Sequence, residues 1–145
     1  MNCYVDSSVV LRKVLNQDNA LREWSLVTKP FSSRLIRLEC FRSLDRLRLM
    51  GGLTEDQAIV SLSRLHETLS QIGSIPLTEA VLKRGEEPFA TPLGSLDSIH
   101  LATVIFWREL HGGDLSFATH DIELGRAARA HGFQVIGVDF KNPFR

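Results

Sequence analysis

Cysteine is scarce in this chain: Cys3 and Cys40 are the only two among 145 residues, and no CxxC pair occurs. Both sit in apolar contexts, which disfavours a disulfide framework or a thiolate zinc site and reads them as small core residues. No run of about 18 apolar residues exists, so no membrane span is expected. The first residues carry no charged segment followed by a long apolar run, so no secretory signal is expected, and a reducing cytoplasm fits. Net charge is missing too, because 17 Lys and Arg balance 17 Asp and Glu. Nothing global therefore advertises nucleic acid or a membrane surface, although a local basic rim remains compatible with RNA. There is no GxGxxG after a strand and no GxxxxGK[ST], which disfavours dinucleotide and P-loop nucleotide binding. GxSxG and HExxH are absent as well, which removes the nucleophile elbow and the helical zinc site. Asp6 has no second Asp two residues later, which disfavours a phosphoaspartate phosphatase. No internal repeat or low-complexity segment is found.

What is present suits a single domain over 1–145, since 43% of the residues are hydrophobic. Residues 2–5 read as a short buried strand, and Asp6-Ser7-Ser8 turns into an amphipathic helix carrying Val9, Val10, Leu11, Val14 and Leu15. A second helical piece is predicted over 17–27, ended by Lys29-Pro30. Phe31-Ser32-Ser33 reads as a short strand entering a helix over 34–50, which Gly51-Gly52 stops. Thr54-Glu55-Asp56-Gln57 has the form of a capping box for a helix to residue 71. A strand over 72–77, a short helix over 78–85 and a proline-containing loop over 86–94 follow. The remainder reads as a helix over 96–110, a strand over 115–118, a helix over 120–131, a strand over 134–138 and a tail over 139–145. Strands alternating with helices predict an α/β fold with three layers, α/β/α, around a parallel sheet of four or five strands.

Four acids stand at informative places in that order: Asp6, Glu39, Asp97 and Asp121. Each has a plain structural explanation. Asp6 after a strand can cap the next helix, and an acid in the first helical turn, as at Asp97 and Asp121, complements the helix dipole. Ser95 and Thr119, two residues before those acids, are good capping types. Glu39 lies between Leu38 and Cys40 in an apolar helix and can face solvent or a site. Ligands of parallel sheets bind at the C-terminal strand ends, however, and Asp6 and Asp121 both follow strands. Carboxylates gathered there repel one another unless a cation lies between them. Two unit charges about 4 Å apart cost roughly 4 kcal/mol at an effective dielectric near 20. The conjunction thus points to a hard divalent metal and to metal-assisted phosphodiester cleavage.

Other residues divide between structure and site. His100 is one helical turn past Asp97 and can share its face; a packing or hydrogen-bonding role is preferred over metal ligation. His120 adjoins Asp121 at the expected site mouth, whereas His66, His111 and His131 read as surface or helix-end residues. Arg34, Arg37, Arg42, Arg46 and Arg48 share the Glu39 helix, with Asp45 offsetting them, and form either a solvated face or a basic rim for an RNA backbone. Arg126 and Arg129 can extend it. The helix over 34–50 carries Ile36, Cys40, Leu44 and Leu47 on one face and Leu38, Phe41 and Leu49 on another, and 96–110 is apolar on most sides. Such helices need cover beyond one sheet face, which predicts a second subunit or partner protein.

Taken together, Tyr-Val-Asp-Ser-Ser-Val-Val-Leu at 4–11, Ser33 to Glu39, Leu-Asp-Ser-Ile-His-Leu-Ala-Thr at 96–103 and Phe-Ala-Thr-His-Asp at 117–121 resemble the motifs of PIN domains. The likeness is to the VapC toxins of type II toxin–antitoxin pairs. It extends through Leu124, Ala127-Ala128, Gly132 and Val135 and covers nearly the whole chain. The resemblance implies a PIN-type sheet and an Mg²⁺- or Mn²⁺-dependent endoribonuclease leaving a 5′-phosphate and a 3′-hydroxyl. It implies Asp6, Glu39, Asp97 and Asp121 as the acidic site, with Asp6, Asp97 and Asp121 on the metal and Thr119 as hydroxyl companion. It also implies an RNA substrate, a homodimer and a cognate antitoxin. Gly94 and Ile122 depart from the pattern, since such toxins often carry basic residues there. A PIN nuclease of housekeeping RNA processing and a PIN-like interaction module that does not cleave are the alternatives.

Overall fold

The structure is a computed structural model that describes residues 1–142. Five parallel strands, β1 (Asn2–Val5), β2 (Lys29–Ser33), β3 (Gly73–Ile75), β4 (Ser116–Ala118) and β5 (Gln134–Ile136), form one sheet in the order β3-β2-β1-β4-β5. The helices are α1 (Ser7–Val14), α2 (Leu35–Leu49), α3 (Glu55–Ser70), α4 (Glu79–Gly85), α5 (Ser95–His111) and α6 (Ile122–Ala130). The architecture is three-layer α/β/α, as expected from the alternation.

Strand alternation divides the core into two layers. Cys3 and Val5 of β1 face one side, where Val9, Val10 and Val14 of α1, Ile36, Cys40 and Leu44 of α2 and Leu65 and Leu69 of α3 pack. Tyr4, between them, faces the other side with Phe117 of β4, Leu101, Val104 and Ile105 of α5 and Leu124, Ala127 and Ala128 of α6. Both cysteines are buried free thiols in that first layer, and burial pushes the Cys3 thiol up to about 12. Their reading as core residues holds.

Local chemistry explains the element ends. The Thr54 hydroxyl accepts from the Gln57 amide at 3.1 Å while Gln57 Oε1 accepts from the Thr54 amide at 2.9 Å, so the capping box is complete. Gly51 follows α2 at φ 77°, a conformation that glycine adopts without strain. The edge strands β3 and β5 are shorter than expected, with three residues each. Short edges limit unpaired backbone.

Three expectations need correction. The helix over 17–27 is absent; a 3₁₀ turn over Arg22–Leu26 takes its place. Asn16 turns the chain at φ 54°, and Ala20 N–H bonds Gln17 carbonyl at 3.0 Å, so the polar run Gln17-Asp18-Asn19 is spent on turns. Lys29-Pro30 does not end a helix but opens β2. Pro30 pairs with Cys3 on β1, and the pairing with β3 begins only at Phe31, so β2 has one neighbour where Pro30 has no N–H to offer. Ser95 does not cap α5 either; Gly94 holds that position with no side-chain bond. The tail expected over 139–145 lies partly outside the described residues.

Candidate active site

The strand order has one point where the winding reverses. From β1 the chain moves outward through β2 to β3, then returns to build β4 and β5 on the opposite side. The C-terminal ends of β1 and β4 therefore meet where the winding reverses, the usual ligand crevice of such sheets. Asp6 leaves β1 there, and its amide bonds the Ala118 carbonyl of β4 at 3.2 Å.

Thr119 leaves β4 at the same level. Its hydroxyl donates to Asp6 Oδ2 and accepts from the Asp121 amide at 3.0 Å. One buried hydroxyl thus ties two of the acids together. It does not cap α6: Asp121 does so itself, its Oδ1 accepting from Leu124 N–H at 2.8 Å. Asp6 likewise caps α1, its Oδ1 accepting from Val9 N–H at 3.2 Å and from the Ser8 hydroxyl at 2.5 Å. Asp6 therefore caps α1 as expected, whereas at α6 the cap is Asp121 and not Thr119. The Ser8 hydroxyl also accepts from the His120 amide at 2.9 Å, pulling the loop after β4 against α1. Gly137, at φ 91°, backs onto this loop, where a Cβ would stand 2.5 Å from the Thr119 carbonyl oxygen. His120 Nδ1 faces the Gly137 carbonyl oxygen at 2.7 Å, and burial lowers the ring's pKa.

Asp97 enters from the first turn of α5. Burial first, and then the charges of Asp121 and Asp6, push its carboxyl up to about 6. Glu39 and His100 also act on it, in opposite directions. Asp6 is raised from the usual carboxylate range by burial, against the hydrogen bonds of Ser8 and Thr119. Asp97 on α5 thus feels the charges of Asp6, after β1, and Asp121, before α6.

Glu39 also turns inward, to His100 Nε2. Its side chain is 11% exposed and that of His100 1%. His100 Nδ1 lies 2.7 Å from the Tyr4 hydroxyl, whose oxygen accepts from the Ser33 amide at 3.1 Å. Burial lowers the His100 pKa, but the Glu39 hydrogen bond and charge outweigh it, and the net direction is upward. His100 is therefore the buried hydrogen-bonding residue that its place on α5 suggested.

Tyr4, Ser8 and Ser33 are the participants that sequence reasoning missed. Tyr4 was hidden inside an apolar strand reading. A hydroxyl two residues after an acid, as in Asp6-Ser7-Ser8, was the available signal for Ser8. The expected basic rim is only partly free: Arg42 and Arg48 both pair with Asp45, and Arg126 with Glu123.

Carboxylate oxygens are the donor type that a hard divalent ion takes. As the side chains lie, however, no group of three or more His, Cys, Asp or Glu among the described residues forms a ready metal-holding cluster. Asp6 directs its oxygens to Val9, Ser8 and Thr119. Each carboxylate oxygen has two acceptor sites, so Asp6 Oδ2 retains one beyond the Thr119 bond.

No protein-family model matches the chain, and no significant match to a curated protein was found. Among solved structures it is similar to PAE2754 from Pyrobaculum aerophilum, with a TM-score of 0.59 and 18% identity over 93% of this chain and 83% of that one. At that identity the likeness establishes the shared fold.

Proposed function

We propose that the chain is a PIN-domain endoribonuclease of the VapC type, dependent on Mg²⁺ or Mn²⁺. The observation that carries this reading is the Thr119 hydroxyl that ties Asp6 to the Asp121 amide where β1 and β4 end, while the charges of both acids add to burial in raising Asp97. The motif resemblance at 96–103 and 117–121 supplies the reaction class.

Asp6, Asp97 and Asp121 would hold the ion. A bound Mg²⁺ or Mn²⁺ supplies a water of lowered pKa and neutralises charge growing on the phosphate oxygens. Thr119 keeps Asp6 at its station by donating to Oδ2. Glu39 would complete the charge of the site and orient the attacking water. Cleavage leaves a 5′-phosphate and a 3′-hydroxyl. Exposed Leu38 and Leu49 of α2, Met50 at its end and Ile59 of α3 are the surface that a second subunit or a cognate antitoxin would cover.

The test is cleavage of structured RNAs by purified protein with Mn²⁺, beside Asp97→Asn. We expect the variant to lose activity about a hundredfold or more, since each lost tenfold is only about 1.4 kcal/mol of barrier. Equal activity in the two proteins rejects the assignment. The second reading is a PIN-like interaction module that no longer cleaves, favoured by the absence of a ready cluster among the described residues. Calorimetric titration with Mn²⁺ separates them: the module gives no heat that depends on Asp97.

A further inference from the structure

We propose that Tyr4 and His100 are positioning residues that hold the Glu39 carboxylate in the acidic crevice for RNA hydrolysis, an assignment that rests on the nuclease reading. Four elements contribute: β1 brings Tyr4, β2 ends at Ser33, α2 carries Glu39 and α5 carries His100. α2 packs on one face of the sheet and α5 on the other. The Glu39–His100 contact therefore bridges the two helical layers past the C-terminal edge of the sheet.

With the ring neutral, donor and acceptor roles run in one direction. The Ser33 amide donates to the Tyr4 oxygen, the Tyr4 hydroxyl donates to Nδ1, and Nε2–H donates to Glu39. This leaves the neutral ring with its proton on Nε2. Ring protonation preserves the contact. Nδ1–H then donates to the Tyr4 oxygen. In both states Nε2 keeps the proton that Glu39 accepts. Tyr4 is itself locked, with its ring stacked 5.2 Å from Phe117 and edge-on to Phe31 at 5.6 Å. A rigid aromatic thus sets the imidazole, and the imidazole sets a carboxylate that would otherwise sample many rotamers. The relay joins residues 4, 33, 39 and 100 and is invisible to any local motif.

The test is a double-mutant cycle on kcat and KM for RNA with Mn²⁺, using Tyr4→Phe, Glu39→Gln and both together. Tyr4→Phe keeps the ring's volume and deletes the donor. The expected result is a fall in kcat of about tenfold with KM unchanged, as for other groups that orient a site residue. In the Glu39→Gln background the Tyr4→Phe change should add nothing. An unchanged kcat in Tyr4→Phe, or full additivity in the double variant, overturns the proposal. His100→Gln keeps an amide N–H for Glu39 and should retain more kcat than His100→Leu; equal losses indicate space filling alone and also overturn it. NMR of the His100 ring reads the relay without activity. The Nε2 proton should be protected from solvent exchange in the wild type and exchange at least tenfold faster in Tyr4→Phe. If the wild type cleaves no RNA, the nuclease reading falls, and an Nε2 proton that is unprotected or unaffected by Tyr4→Phe then overturns the positioning role by itself.

Discussion

Thr119 does two jobs with one hydroxyl, and neither is the helix cap that its spacing from Asp121 suggested. Its proton goes to Asp6 and its lone pair to the Asp121 amide. Thr119→Val keeps the shape and removes both bonds. The change leaves buried acceptor and donor groups unsatisfied, which costs about 1–3 kcal/mol. If the acidic reading is right, it also weakens Mn²⁺ binding about 10–100-fold. Urea unfolding and calorimetry measure the two effects separately. A stability loss with Mn²⁺ affinity intact would leave Thr119 a structural tie. Asp6 was legible as a helix cap and both Asp6 and Asp121 as acids that follow strands; that Asp121 itself caps α6 emerged from the structure. Tyr4 was not legible, since nothing around it marks a strand tyrosine as one that meets a histidine 96 residues away.

The helices with strong local signals matched expectation. α3 begins where its capping box places it, and its buried stripe of Ala58, Ser61, Leu65, Thr68 and Leu69 follows helical spacing. Thr54→Ala should cost about 1 kcal/mol by deleting that cap. Leu65→Ala, at a fully buried position, should cost about 2–5 kcal/mol. Chemical denaturation checks both, and a Thr54→Ala loss as large as that of Leu65→Ala would contradict the ranking. The segment over 17–27 misled because its helical expectation rested on a few apolar residues. Leu21 and Trp24 do pack on the core, but as anchors of a turn. The edge strands were overextended for a related reason: apolar residues beyond Ile75 and Ile136 satisfy a strand pattern without a neighbour to pair with.

Across the whole molecule, the candidate site is where independent layers meet, so it should respond to pH and to metal as a unit. Asp97 titrates at about 6 in the fold, against about 3.9 when unfolded. The folded state therefore holds more protons between those values. The stability from this group is fully present below about pH 4 and is lost as pH rises through 6. In metal-free protein, Asp97→Asn should gain stability relative to wild type as pH goes from 4 to 7. Thermal unfolding at stepped pH reads that difference; a gap that stays constant or shrinks refutes it. On the proposed nuclease reading Mn²⁺ should act in the opposite sense, because a metal ion binds only the ionised acid. At about a hundred times its dissociation constant the ion should add roughly 2.7 kcal/mol near pH 7, and less below 6.

The order and type of most elements follow from the amino-acid sequence, because helical periodicity, capping chemistry and Gly or Pro stops act within a few residues. Asp6, Asp97 and Asp121 were legible for the same reason, each beside an element boundary, whereas Glu39 lies inside α2 and was marked by its apolar neighbours. Their grouping belongs to the tertiary structure. The order β3-β2-β1-β4-β5 sets β1 against β4 and so joins Asp6 to Thr119 across 113 residues. The packing of α2 and α5 on opposite faces likewise lets Glu39 reach His100. Contacts of that length depend on which surfaces bury one another, a choice the whole fold makes and no short stretch of chain encodes.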